Sequence, residues 1–151
     1  MKILRNPGIN ALLVSVVSAI YAFIFIFTSN HIEFVRLLSH AKTLSSSFWN
    51  SWSSFIINGG MKYVGYAIIA ITIAIVALTV FRKQKYDEYQ VNILARGFII
   101  AGVITVLLLP VALILVLSDK NYAIESMFLL LTAQWFGVLI VDLVYSIKYF
   151  R

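Results

Sequence analysis

The chain of 151 residues is 62% hydrophobic and only 12% charged, with a net charge of +6 and no cysteine. Soluble domains run at roughly 45–50% apolar and about 25% charged residues, so a chain this short cannot hide its apolar surface from water, and lipid must be its main solvent. The missing cysteines exclude disulfides, thiol catalysis and thiolate metal sites. The twelve Lys and Arg sit in short flanks of apolar runs and form no basic face; they read as determinants of membrane orientation, not as a nucleic-acid surface.

A basic start with Lys2 and Arg5 precedes an apolar run over residues 9–28. The run continues through Tyr21-Ala-Phe-Ile-Phe-Ile-Phe, past any cleavage site near Ala19. A signal peptide has an apolar region of only about 7–15 residues, so an uncleaved first membrane helix is expected. Its small residues Ala11, Ser15, Ser18 and Ala22 form one stripe, suited to close approach of another helix backbone.

Residues 31–58 predict an amphipathic segment on the membrane surface. Phe34, Leu37, Leu38, Ala41 and Leu44 recur at helical spacing, and a second piece, Ser45–Ile57, carries Phe48, Trp49, Trp52 and Phe55 among serines. Trp and Phe on one face favour the headgroup plane, where an indole keeps its ring in hydrocarbon and its N–H in water. These four aromatics form the expected outer contact surface. His31 and His40 lie here without nearby acids, a poor metal set.

A second span is expected over 61–81, with Ala67, Ala70, Ala74 and Ala77 as a stripe to pack on that of the first helix. After the loop 82–90, a third span is expected over 91–118, with Gly97 and Ala101 as a small pair and Pro110 as a kink. A fourth is expected over 123–147, centred on Ala133-Gln-Trp-Phe-Gly137. Each run can cross about 30 Å of hydrocarbon, which takes roughly 20 helical residues. The fold expected is an all-α, four-helix membrane bundle with an interfacial segment between its first two spans.

Charged residues inside spans are functional candidates by default. Arg96 and Asp142 both fall roughly 9 Å in from the same membrane face, at about 1.5 Å per residue, which predicts an ion pair between the third and fourth helices, structural or part of a relay. Glu125 is expected at the outer edge, in reach of Lys62 or Lys120. Gln134 and Trp135 mark the midplane, where a Gln bonds across helices or touches a substrate. No Gly-x-Ser-x-Gly elbow and no phosphate-cradling glycine loop occurs, so no enzyme, cofactor or metal is expected.

The stretch Tyr86-Asp87-Glu88-Tyr89-Gln90-x-x-Ile93-Leu94-Ala95-Arg96-Gly97 resembles the juxtamembrane signature of small uncharacterised bacterial membrane proteins, which carry an Asp-Glu-Arg-x-type motif before two final spans; Tyr89 stands where they have Arg. The resemblance covers residues 85–151. It implies a bacterial membrane protein of the peptide-export, immunity or envelope-regulation kind, with no catalytic residues to carry over.

Three function classes remain open: an accessory or immunity-type binding protein whose partner is another membrane protein or an envelope-acting peptide, an oligomeric ion channel or pore, and a small-solute transporter. With four spans, eight basic residues (Lys2, Arg5, Arg82, Lys83, Lys85, Arg96, Lys148, Arg151) share the side of both termini, against four (Arg36, Lys42, Lys62, Lys120) opposite. The excess puts both termini in the cytoplasm of a bacterial cell membrane. Because the chain has no cysteine of its own, a single cysteine introduced within residues 45–57 tests this cleanly. It should react with a membrane-impermeant thiol reagent on intact cells; labelling only after the inner face is opened would reverse the orientation.

Overall fold

The computed structural model describes residues 6–29, 46–82, 85–118 and 120–149. Five α-helices stand among them: α1 (Pro7–Ser29), α2 (Ser47–Ile57), α3 (Met61–Val80), α4 (Glu88–Ser118) and α5 (Ala123–Lys148), with a short 3-10 turn at Lys120–Tyr122 before the last. Four of the five, α1, α3, α4 and α5, are long and apolar enough to cross a membrane. The protein is an all-α, four-helix membrane bundle. The first half of the expected surface segment, with His31 and His40, lies outside the described residues.

Local chemistry sets the helix ends. Pro7 occupies the first turn of α1, where its missing N–H costs nothing, and the Asn6 side chain accepts the Gly8 N–H at 3.0 Å as a cap. Helix α2 stops in a Schellman turn: Gly59 takes a left-handed φ of +72°, the Gly60 N–H reaches the Phe55 carbonyl at 2.8 Å and the Gly59 N–H reaches that of Ile56 at 2.9 Å. Helix α4 begins three residues before the expected 91, because Asp87 and Gln90 form a capping box. The Gln90 N–H donates to Asp87 Oδ1 at 2.7 Å and the Asp87 N–H to Gln90 Oε1 at 3.3 Å. It then runs through Pro110 as one helix of 31 residues.

The closest partners are α1 and α3, followed by α4 with α5; α5 also packs on α3 and joins the two pairs. Val14, Phe25, Ile68, Ile75, Phe128, Trp135 and Leu139 fill the seam between α1, α3 and α5. Helix α4 leans chiefly on α5 and leaves Ile99, Val103, Val106, Leu113 and Leu117 exposed along its length.

The small-residue stripes behave unequally. On α1, Ala11, Ser18 and Ala22 are buried and Ser15 is half-buried. On α3 the buried line is Met61, Gly65, Ile68, Thr72, Ile75 and Thr79, while Ala67, Ala74 and Ala77 are half-buried and Ala70 is exposed. The alanines have the right period in the wrong phase. Helix α3 fits tightly against α1 at Gly65, where a Cβ would stand 2.8 Å from the Ile26 side chain and 3.3 Å from the Ala22 carbonyl oxygen. Between α4 and α5, a Cβ on Gly97 would meet Val141 at 2.4 Å, and one on Gly137 would meet Ala101 at 3.7 Å. Ala133 is half-buried on the same helix.

Overpacking of this kind costs roughly 1–3 kcal/mol. Gly65→Leu should therefore lower the stability of the α1–α3 pair by about that amount in a reversible detergent-unfolding titration, and Ile26→Ala in the same chain should recover part of it. An unchanged unfolding midpoint for Gly65→Leu would show that the two backbones do not need their close approach.

Candidate functional site

Polar side chains punctuate the α1–α3–α5 seam at three levels. At the end where α1 begins and α5 stops, Asp142 of α5 is fully buried, and both its carboxyl oxygens accept from the Asn10 side-chain amide of α1, at 2.9 and 3.1 Å. Lipid offers no hydrogen bonds, so each group finds its partner on the other helix.

The expected Arg96–Asp142 ion pair is not formed. Arg96 is exposed on α4. The two residues do share a depth, but depth is only one coordinate on a helix. Leu94 and Gly97 turn toward α5, and at about 100° per residue Arg96 is carried roughly 100° away from Gly97 and 200° from Leu94. Asp142, for its part, belongs to the buried line of Trp135, Leu139 and Ser146, which looks into the seam and away from α4.

Tyr86, in the loop before α4, closes this end from outside. It is buried, edge-on to Tyr145 at 5.3 Å between ring centroids, and its hydroxyl lies near Thr79 and Ser146. Burial raises its pKa, the neighbouring Asp142 carboxylate adds to the rise and Arg82 opposes it; the phenol stays protonated at neutral pH. The Arg82 guanidinium lies 4.4 Å from the Tyr86 ring centroid, donates to Gln90 Oε1 at 2.8 Å and donates to the Tyr149 carbonyl. One side chain so links the end of α3 to the start of α4 and the end of α5.

At mid-height, Trp135 donates its indole N–H to the Ser18 hydroxyl at 3.0 Å, and the Ser18 and Thr72 hydroxyls bond to each other at 2.8 Å. Thr72 also lies 2.8 Å from the Ile68 carbonyl. A hydroxyl has one proton, so with Thr72 donating to Ile68, Ser18 accepts from Trp135 and donates to Thr72. Three helices meet at that serine. Tyr21 stacks on Trp135 at 5.1 Å and donates to Gln134 Oε1 at 3.3 Å. The midplane Gln134 is thus exposed and bonded across to α1, while Trp135 is buried.

The third level is the opposite end, where α2 caps α5. Glu125, expected at the surface, is fully buried: Ser53 donates its hydroxyl to Oε1 at 2.8 Å, and Trp52 donates its N–H to the Glu125 carbonyl at 3.0 Å. Trp49 packs on Tyr122 at 5.9 Å. With Ile56 also buried, α2 is bound from beneath, and Phe48 and Phe55 remain 55% and 38% exposed. Beside them opens a cleft of about 590 Å³, lined by Asn50, Ser51, Ser54, Phe55, Asn58, Gly60 and Tyr63. Its lining is amide, hydroxyl and aromatic, without a charged side chain.

No trio of His, Cys, Asp or Glu suited to a metal ion occurs among the described residues. The hydroxyls of Thr28 and Thr79 donate to carbonyls four residues earlier in their own helices, and Ser126 donates likewise to the Tyr122 carbonyl just before α5, which is how a membrane helix satisfies a hydroxyl locally. The chain matches no known protein-family model, no curated protein and no solved structure.

Interhelical hydrogen bonds in membranes average about 0.6 kcal/mol and reach roughly 1.7 kcal/mol, and a buried partner left unpaired adds to the loss. In a double-mutant cycle read by unfolding, Asn10→Ala and Asp142→Ala should show a coupling of about 1 kcal/mol. Arg96→Ala and Asp142→Ala should be additive. Strong Arg96–Asp142 coupling would restore the ion pair and overturn the assignment to Asn10.

Proposed function

We propose that this chain is a non-enzymatic protein of the bacterial cytoplasmic membrane, with both termini cytoplasmic, that acts as an accessory or immunity-type partner, capturing an envelope-acting peptide or the flank of a membrane complex on its outer collar. The observation that carries this reading is the collar itself. Helix α2 is held to α5 by Trp52, Ser53 and Ile56, so its other face is turned away from the bundle at a fixed height, with Phe48 exposed and the neutral cleft at Phe55. Asn50, Ser51, Ser54 and Asn58 supply the donors and acceptors that a peptide backbone requires, and Phe55 and Tyr63 supply apolar walls for its side chains. An aromatic side chain rigidly mounted at a membrane surface anchors a contact at low cost in conformational entropy.

The alternative of an oligomeric pore draws on α4, whose exposed apolar length is a surface for further copies. The seam within one copy is filled by Phe25, Ile68, Phe128 and Leu139, so a conducting path requires several chains. The solute-transporter alternative has no comparable surface in its favour.

A photo-crosslinking residue placed at position 48 or 55 in native membranes should give one discrete peptide or protein adduct, while the same residue at 99, on the exposed side of α4, should give lipid adducts only. Absence of a discrete adduct at both collar positions would sink the reading. An adduct at 99 of twice the chain's mass would favour the oligomer.

A further inference from the structure

A second concavity lies at the end opposite the collar, between α4 and α5. It is a slot of about 310 Å³, walled by Ile93, Gly97, Val141 and Val144, with Tyr145 behind and Lys148 at its mouth. Its cause is the contact that holds the two helices together: Gly97 brings α4 against Val141. Tyr145, although it lines the slot, has a buried hydroxyl with no partner among the described residues. The wall is otherwise apolar and continuous with the exposed faces of Val144 and Ile140, so the slot opens toward lipid and not toward the seam.

One cation lines it, and a second, Arg96, stands outside its lining on the exposed side of α4, three residues after Ile93. Lys148 sits in the last turn of α5. Arg96 adjoins Gly97, is exposed, and has no carboxylate partner among the described residues. It lies eight residues after Glu88 at the start of α4, about 12 Å along the helix, where an arginine facing lipid has to send its guanidinium back toward the interface or hold an anion there. The nearby acids do not meet this need: Asp142 is buried on Asn10 in the seam, and Asp87 caps α4.

We propose that the α4–α5 slot is a binding site for an anionic phospholipid of the leaflet on the side of the chain termini, with one acyl chain along Gly97, Val141 and Val144 and the headgroup phosphate between Lys148 and Arg96. Shape selects the chain and charge selects the headgroup. A planar guanidinium matches phosphate oxygens two at a time, and Lys148 adds a point charge at the mouth. A zwitterionic lipid could enter the same slot, but its own cation would oppose both side chains.

The test is native mass spectrometry of the full chain released from vesicles of equal parts phosphatidylcholine and phosphatidylglycerol. The wild-type chain should retain phosphatidylglycerol preferentially. A basic residue at an anionic membrane surface contributes about 1 kcal/mol, so Arg96→Gln and Lys148→Gln should each weaken that retention roughly fivefold. Lys62→Gln, at the collar end, should leave it unchanged. Val144→Phe, at an exposed position that fills the slot without disturbing the seam, should weaken it with both cations present. Equal retention of the two lipids by the wild-type chain would overturn the proposal, as would a Lys62→Gln effect equal to that of Lys148→Gln, which would mean that net charge alone is read. Unchanged retention in Val144→Phe would reduce the site to surface attraction, and loss of the preference on adding inorganic phosphate would reassign it to a free anion.

Discussion

A polar side chain inside hydrocarbon has no water to fall back on, and the packing of α1, α3 and α5 follows from that constraint. Asn10 meets Asp142, Ser18 meets Thr72 and Trp135, and Glu125 meets Ser53, each bond joining different helices. Apolar packing alone discriminates weakly here, because lipid tails are as apolar as Leu or Ile. The bonds specify which helix faces which and at what height. Between the levels, Phe25 packs on Phe128 at 5.7 Å and keeps the seam closed.

Helix α4 stands outside this arrangement. Its contacts run to α5 through Gly97 and Ala101, both small, and much of its surface remains exposed. The molecule is thus divided into a seam crossed by hydrogen bonds between helices and a periphery with exposed surfaces. Two concavities belong to the periphery, one beside the collar helix and one between α4 and α5. Groups in the seam hold the scaffold, and the exposed concavities lie at the edges.

Much of the architecture was legible in the chain, because a span demands a long apolar run whatever its neighbours are. The start of α4 was missed although a signal for it is present: Asp87-x-x-Gln90 is a capping box, which places the first turn three residues before the apolar run begins. Hydropathy misses it because the capped turn is polar. The amphipathic pattern of residues 45–57 indicated a surface helix, but not that Glu125 would be its anchor, since a carboxylate near a span's edge reads first as solvated.

Periodicity and depth were therefore determined by the sequence alone, and with them the four long apolar helices, the α2 helix and the levels of Asp142, Gln134 and Glu125. Azimuth and partner were decided only in the tertiary structure. The alanines of α3 share the spacing of its buried line, yet Gly65 and Thr72 face α1; Arg96 and Asp142 share a level, yet Asn10 holds the carboxyl. The reason is geometric. A helix repeats about every 3.6 residues, so several stripes on one helix satisfy the same spacing, and only the shapes and hydrogen bonds of the neighbouring helices select the one that turns inward.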